Sequence, residues 1–315
     1  MTHVLVARVV RSGFVEGEHY GTAVAVDGSG QVVAALGDPA APMFPRSSIK
    51  PVQAVALLRA GLDLDDELLA LVASSHSGER FHLDGVRRIL GAAGLDDSAL
   101  RNTADLPLDD AERLDWQRAG RAPSSLGQNC SGKHAGMLAT CVINGWSIAG
   151  YLDPGHPLQV SIASTVTELT GEAPAATGVD GCGAPLLAVS AVGLARAVAR
   201  LATSDPQTDE GRVAQAIRNH PEWLGGTGRD VTELIRGIPG LIAKDGAEGV
   251  YAAAMPDGRA AVVKIADGAA RARLVVLAAA LRRLGVDAEV LDTLGTTPVL
   301  GHGVPVGAVQ PVDLV

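Results

Sequence analysis

The sequence predicts a mixed α/β (α+β) chain in which both ends contribute to one antiparallel sheet and the middle is mainly helical. Three observations carry this. A hairpin pattern stands near each end of the chain. The stretches between them repeat apolar residues at helical spacing, and three glycine-rich segments interrupt them. The expected organisation is one unit over residues 1–315, with a sheet lobe at roughly 1–45 and 235–315 and a site-bearing helical region at 46–234.

The first hairpin is HYGTAVAVDGSGQVVAALGD, which alternates and turns at Asp27-Gly28-Ser29-Gly30. Val24, Val26, Val32 and Leu36 are its expected packed residues. Next, PVQAVALLRAG, DDELLALVASS, FHLDGVRRILGAAG, DPGHPLQVSIASTVTELTG and DEGRVAQAIRNHPEW each read as helices, often with Asp or Ser near the start and Gly at the end. The second hairpin, GVYAAAMPDGRAAVVKIADG, turns at Pro256-Asp257-Gly258 and is followed by the helical pattern RARLVVLAAALRRLG. Both hairpins are expected in one sheet with terminal helices packed on it. The glycine-rich segments are SSHSGE (74–79), GQNCSGKHAG (127–136) and TGVDGCGAP (177–185), and such loops are where a scaffold carries its chemistry.

Composition sets the broad class. With 47% hydrophobic and 19% charged residues, the chain reads as an ordinary globular protein. A net charge of −9 argues against a nucleic-acid surface, which needs clustered Lys and Arg. The opening MTHVLVARVVRSG lacks the basic and apolar regions of a secretion signal. The apolar run LVVLAAALRRLG is stopped by Arg282 and Arg283, well short of a membrane span. Cys130, Cys141 and Cys182 are an odd number without scaffold spacing, so a reducing cytoplasm is the expected location.

Of 26 basic residues only four are lysines: Lys50, Lys133, Lys244 and Lys264. Arginine stays charged, so a position that must release a proton near neutral pH cannot use it. Ser47 and Lys50 are three apart and share a face on a helical turn, where a neutral amine can take the hydroxyl proton. An S-x-x-K followed by a later K-T-G marks serine–lysine acyl enzymes, and here Lys244-Asp245-Gly246 follows. Pro51 biases Lys50 away from the α region, so the pair should straddle a helix start, where the positive end of the dipole favours a neutral lysine. A solvated lysine beside a capping serine is the competing reading.

In SSHSGE, Ser77 and Glu79 read as capping groups for the next helix, while Ser74 and Ser75 stay open. NCSGKHAGML brings together a thiol, an amine and an imidazole; a cysteine nucleophile, metal ligation together with Cys182, and a buried structural thiol are all compatible with it. Cys141 reads as core. In GVDGCGAP, Asp180 and Cys182 lie on a tight turn with glycines that allow a close ligand approach, although Asp180 alone can be an Asx-turn residue. Lys264 reads as a solvated or structural cation on a strand.

Taken together, Arg46-Ser47-x-x-Lys50-Pro51, Ser75-His76-Ser77, Asn129-Cys130-Ser131-Gly132-Lys133-His134, Asp180-Gly181-Cys182 and Lys244 resemble the thermolabile L-asparaginase II family, of the rhizobial inducible type. The resemblance implies a fold like the serine β-lactamases and transpeptidases, and hydrolysis of L-asparagine to L-aspartate and ammonia. It implies two serine–lysine tandems, Ser47 with Lys50 and Ser75 with Lys244, and a zinc held by Cys130, Lys133 and Cys182. Asp180, Arg46 and His134 are the implied contacts to the zwitterionic substrate. The residues CGAP after Asp180-Gly181 sit where the family pattern varies, which leaves side-chain selectivity open. The expected partners are a small molecule and a second copy of the chain in a homodimer, with no nucleic acid or membrane. Two other readings remain: a penicillin-interacting or glutaminase-type serine acyl hydrolase, and a non-catalytic zinc- or amino-acid-binding protein.

Overall fold

A computed structural model of the chain describes residues 3–314. The strands are β1 (Val4–Arg11), β2 (Phe14–Val26), β3 (Val32–Leu36), β4 (Pro42–Met43), β5 (Ala176–Val179), β6 (Pro185–Ser190), β7 (Ile242–Gly246), β8 (Val250–Ala254), β9 (Ala260–Ile265), β10 (Thr297–Gly301) and β11 (Val304–Pro311). Eight of them form one sheet in the order β10-β11-β1-β2-β9-β8-β7, with β3 also on β2. The other three form a small sheet, β4-β6-β5. Both ends of the chain therefore build the main sheet, as the two hairpins predict.

Their junction is β2 against β9, antiparallel, with Gly21 opposite Ile265 and Val26 opposite Ala260. Gly21 allows this approach, since a Cβ there would lie 2.2 Å from the Lys264 carbonyl oxygen. The first turn is an Asx turn in which Asp27 Oδ1 accepts from the amides of Ser29 at 2.8 Å and Gln31 at 3.1 Å. Val24 and Val26 are buried, but so are Ala23 and Ala25, whereas Val32 is 44% exposed. The centre of the sheet is covered on both faces, so alternation did not separate inside from outside there. Helices Ala191–Thr203 and Arg273–Arg283 pack on β2, β8 and β9. The first of these and the β10–β11 hairpin are elements that the sequence reading did not single out.

The helical middle follows the read segments closely: Lys50–Arg59, Asp66–Val72, Arg80–Ala92, Pro157–Thr170 and Asp209–Asn219. Helix Lys50–Arg59 is buried along nearly its whole circumference. Each of Val52, Val55, Leu57 and Leu58 contributes roughly 1.5–3 kcal/mol by leaving water, enough to hold a buried lysine at the helix head. Lys50 itself is helical, at φ −57° and ψ −35°, against the bias expected from Pro51. The proline sits in the first turn, where its missing N–H costs nothing. Helix Ser131–Ile143 presses on Asp66–Val72 through Gly132, where a Cβ would stand 2.4 Å from the Leu71 carbonyl. Among the described residues no helix is long and apolar enough to cross a membrane.

Candidate active site

The segments that carry the singled-out residues meet at the head of helix Lys50–Arg59. A short 3₁₀ turn, Arg46–Ile49, leads into it. Arg46 has φ +51°, a left-handed conformation that costs a non-glycine residue about 1–2 kcal/mol. That backbone aims its guanidinium at Asp180, with Nε donating to Oδ1 at 2.8 Å. Glu248, also left-handed at φ +58°, lies 3.6 Å from the same guanidinium. Burial works against the Asp180 carboxylate, yet Lys133 and Arg46 hold its pKa below the ordinary value. A facing arginine and aspartate form the complement of a zwitterion, a cation for a carboxylate and an anion for an ammonium.

Ser47 is half-buried on the 3₁₀ turn. No hydrogen bond joins it to Lys50 among the described residues. The Lys50 Nζ donates instead to the Ser74 carbonyl at 2.5 Å, Ser75 Oγ at 3.1 Å and Cys130 Sγ at 3.1 Å. The expected pairing is therefore corrected: the serine–lysine hydrogen bond is Lys50 with Ser75. The physical reason is the backbone of the Ser74–Ser77 segment, which runs extended between two others. The amides of Ser75 and Ser77 donate to Leu224 and Gly225, and that of His76 to Asn129. This threading places Ser75 Oγ beside the lysine. It also corrects the capping reading: Ser77 Oγ donates to the Gly225 carbonyl at 3.1 Å, Glu79 binds Thr227, and the next helix has no side-chain cap.

Lys244 lies on β7, 1% exposed, and does not hydrogen-bond to Ser75. Its Nζ donates to the Asp245 carbonyl at 2.8 Å and to the Asp245 carboxylate. Arg229 holds the other oxygen of that carboxylate at 3.0 Å. Burial pulls Lys244 down to about 8 against the opposing pull of Asp245, with Lys50 and Arg229 adding to the depression. Burial alone would raise Asp245, but Lys244, Arg229 and Arg273 hold it far below the usual carboxylate range.

Cys130, Lys133 and Cys182 do come together. Lys133 Nζ donates to Cys182 Sγ at 3.3 Å, Cys130 Sγ donates to Asn129 Oδ1 at 3.2 Å, and the two cysteines pack in one buried cluster. The neighbouring Cys130 thiol, with Lys133 nearby, pulls Cys182 down to about 5 although burial opposes it. The Cys182 sulfur beside it and burial push Cys130 up to about 12. Burial would lower Lys133, but the adjacent sulfurs hold its pKa above the ordinary value. Among the described residues no group of three or more His, Cys, Asp and Glu is placed to hold a metal. Two sulfurs and an amine are nevertheless soft and nitrogen donors of the kind zinc takes, and three protein donors would leave a fourth position open. The donor chemistry fits.

His134 is fully buried and kept neutral by burial; its Nδ1 hydrogen-bonds with Tyr151 Oη at 2.7 Å, and Nε2 is without a partner among the described residues. His76 Nε2 hydrogen-bonds with Ser131 Oγ at 2.8 Å. Lys264 is structural, its Nζ donating to the carbonyls of Glu248 at 2.5 Å and Ile265 at 2.7 Å. A cavity of about 340 Å³ opens beside Arg46, between Phe44, Val179, Leu186, Glu248 and Lys264. Larger hollows, about 580 and 470 Å³, lie around Arg87 and Trp116 and are lined by none of these residues. Sequence reasoning missed Asp245, Arg229 and Tyr151. Asp245 was legible beside a rare lysine, but nothing distinguishes Arg229 among so many arginines.

A buried amine on a serine hydroxyl, next to a zwitterion-matching pair, suits acyl transfer from an amide, and the protein is an amidohydrolase. The model of a family described as L-asparaginase II matches residues 7–311, so the chain belongs to that family and its activity is of the L-asparaginase type. No curated protein sequence matches the chain. Among solved structures, a β-lactamase from Mycobacterium bovis is similar at 17% identity and TM-score 0.43, covering 79% of this chain and 88% of that one. A LovD6 mutant of simvastatin synthase from Aspergillus terreus is similar at 12% identity and TM-score 0.37, covering 78% and 86%. Both likenesses are distant.

Proposed function

We propose that this protein hydrolyses the side-chain amide of free L-asparagine to L-aspartate and ammonia through a serine ester. The observation that supports this most is the buried Lys50–Ser75 hydrogen bond at 3.1 Å, one helical turn from the half-buried Ser47 and beside the Arg46–Asp180 pair. Asp180 takes the substrate ammonium and Arg46 its carboxylate, with Nε2 of His134, which has no partner among the described residues, as a further polar contact. Ser47 Oγ attacks the amide carbon, since it is the more accessible of the two serines. For this step neutral Lys50 swings from its Ser74 and Cys130 partners to take the Ser47 proton, which passes on by way of Ser75 to the amide nitrogen, and ammonia leaves. Water then cleaves the ester, returning the proton to Ser47 and releasing aspartate. Lys244, whose lowered pKa of about 8 leaves a working fraction neutral at mildly alkaline pH, serves as the second base of the relay. A zinc ion held by Cys130, Lys133 and Cys182 would fix that wall of the pocket when bound.

The test is ammonia release from a panel of free amino-acid amides. Turnover of L-asparagine well above L-glutamine is expected. Turnover of L-glutamine alone, or covalent labelling by penicillin without amide turnover, would replace the proposal with the corresponding acyl hydrolase. Absence of turnover with zinc bound would make the chain a binding protein.

Metal analysis of protein purified without chelator is expected to find about one zinc per chain, and loss of it in Cys130→Ser and in Cys182→Ser. Occupancy should fall as pH drops, because both sulfurs and the amine must be deprotonated to bind. Full occupancy in either cysteine variant would reject this ligand set.

A further inference from the structure

Asp245 is shared between two cations. Its Oδ2 accepts from Arg229 at 3.0 Å, while Oδ1 and the backbone carbonyl accept from Lys244. The lysine and the aspartate are both buried. If Asp245 had Lys244 as its only cation, neutralising the lysine would strand a buried carboxylate, which is strongly unfavourable. With Arg229 in place, the carboxylate stays paired in both states of the lysine.

The charged and titratable groups around this pair come from five elements. Asp245 is on the strand of Lys244 itself, and Lys50 is at the head of helix Lys50–Arg59. Arg229 caps helix Asp230–Gly237, Tyr251 is on β8, and Arg273 begins helix Arg273–Arg283. Arg273 is already engaged, donating to Asp230 at 2.9 Å and the Gly246 carbonyl at 3.0 Å over the ring of Tyr251. Arg229 is the residue that divides the carboxylate with Lys244.

We propose that Arg229 is a positioning residue for Lys244: by holding one oxygen of Asp245, it lets the lysine give up its proton without leaving an unpaired anion. The inference rests on the reading that Lys244 moves protons in amide hydrolysis. The depression of Lys244 to about 8, chiefly by burial and in part by Arg229, agrees with the geometry.

The small number of lysines makes the test direct. Full-length protein labelled with ¹³C at lysine Cε gives four resonances, and the one lost in Lys244→Arg belongs to Lys244. In the parent its midpoint is expected near 8. In Arg229→Gln the midpoint should rise by about one unit or more, because Asp245 then belongs to Lys244 alone. The rising limb of kcat/KM against pH for asparagine should move up with it, lowering activity below the limb by about tenfold per unit. Arg229→Lys should restore both, since Arg229 NH1 is buried without a partner among the described residues and its loss forfeits no bond there. An unchanged midpoint in Arg229→Gln, or activity lowered equally at every pH, would overturn the proposal. Should that variant not fold, Asp245→Asn is read instead: the Lys244 midpoint should fall below the parent value, and an unchanged midpoint sinks the idea. If the parent releases no ammonia from asparagine yet the resonance shifts as described, the activity reading fails and the control of Lys244 by Arg229 stands.

Discussion

In Ser47→Ala, turnover of asparagine is expected to fall by on the order of 10⁴-fold or more, the scale seen when a serine nucleophile is removed. The fold should persist. Ser47 is half-buried, and its nearest lysine donates to other groups, so deleting one oxygen strands no buried partner. Ammonia release gives the rate, and circular dichroism with a thermal melt gives the integrity of the fold. Ser75→Ala is the companion variant. It removes an acceptor of Lys50 from the relay and should lower kcat by about 10²–10⁴-fold, as for loss of a proton-transfer group. The order of the two effects decides the mechanism. If Ser47→Ala turns over at close to the parent rate while Ser75→Ala is inactive, the nucleophile is Ser75 and the attack on the amide starts from the buried end of the network.

Lys50→Arg and Lys244→Arg should each lose at least about 100-fold in kcat/KM although a positive charge is formally retained. A guanidinium does not deprotonate near working pH, so it can donate to Ser75 or Asp245 but cannot take up a proton in the relay. Both positions are 1% exposed, so the larger side chain also has to displace neighbours. Lys264→Arg separates the two causes. Lys264 is half-buried and its partners are two backbone carbonyls, which a guanidinium can satisfy as well. That variant should keep nearly full activity and stability. If Lys50→Arg stays folded and retains most of its activity, Lys50 acts as a fixed charge and the general-base role assigned to it is wrong.

Residue types and their clustering were legible in the sequence to a greater degree than their partners. The two hairpins and the long helices follow from turn chemistry and periodicity, which are local. Helix Ala191–Thr203 was not singled out, and β5 and β6 are short strands in a separate small sheet with little pattern of their own. At the site, the scarcity of lysine pointed to Lys50, Lys133 and Lys244, and all three are buried. The spacing argument then paired Ser47 with Lys50 because it considered a single helical turn. Ser75 reaches Lys50 across 25 residues of chain, and only the threading of its backbone between Leu224 and Asn129 sets that contact. Arg229 and Asp245 meet in the same non-local way, so no spacing announces them.

The pairing of β2 with β9 has a consequence for biogenesis. Val24 lies opposite Val262, so the centre of the sheet joins segments from opposite ends of the polypeptide. During synthesis the N-terminal hairpin leaves the ribosome long before its neighbour exists, with an unpaired β2 edge and apolar faces that nothing yet covers. Closing so distant a contact is entropically slow, and exposed edges of this kind invite association with other chains in the meantime. The two sides of the site inherit the same order of assembly, because Ser47 and Lys50 follow the early hairpin and Lys244 precedes the late one. Chaperone demand and yield on expression should therefore be set by the wait for β9, and a circular permutant that makes β2 and β9 neighbours in sequence would shorten it.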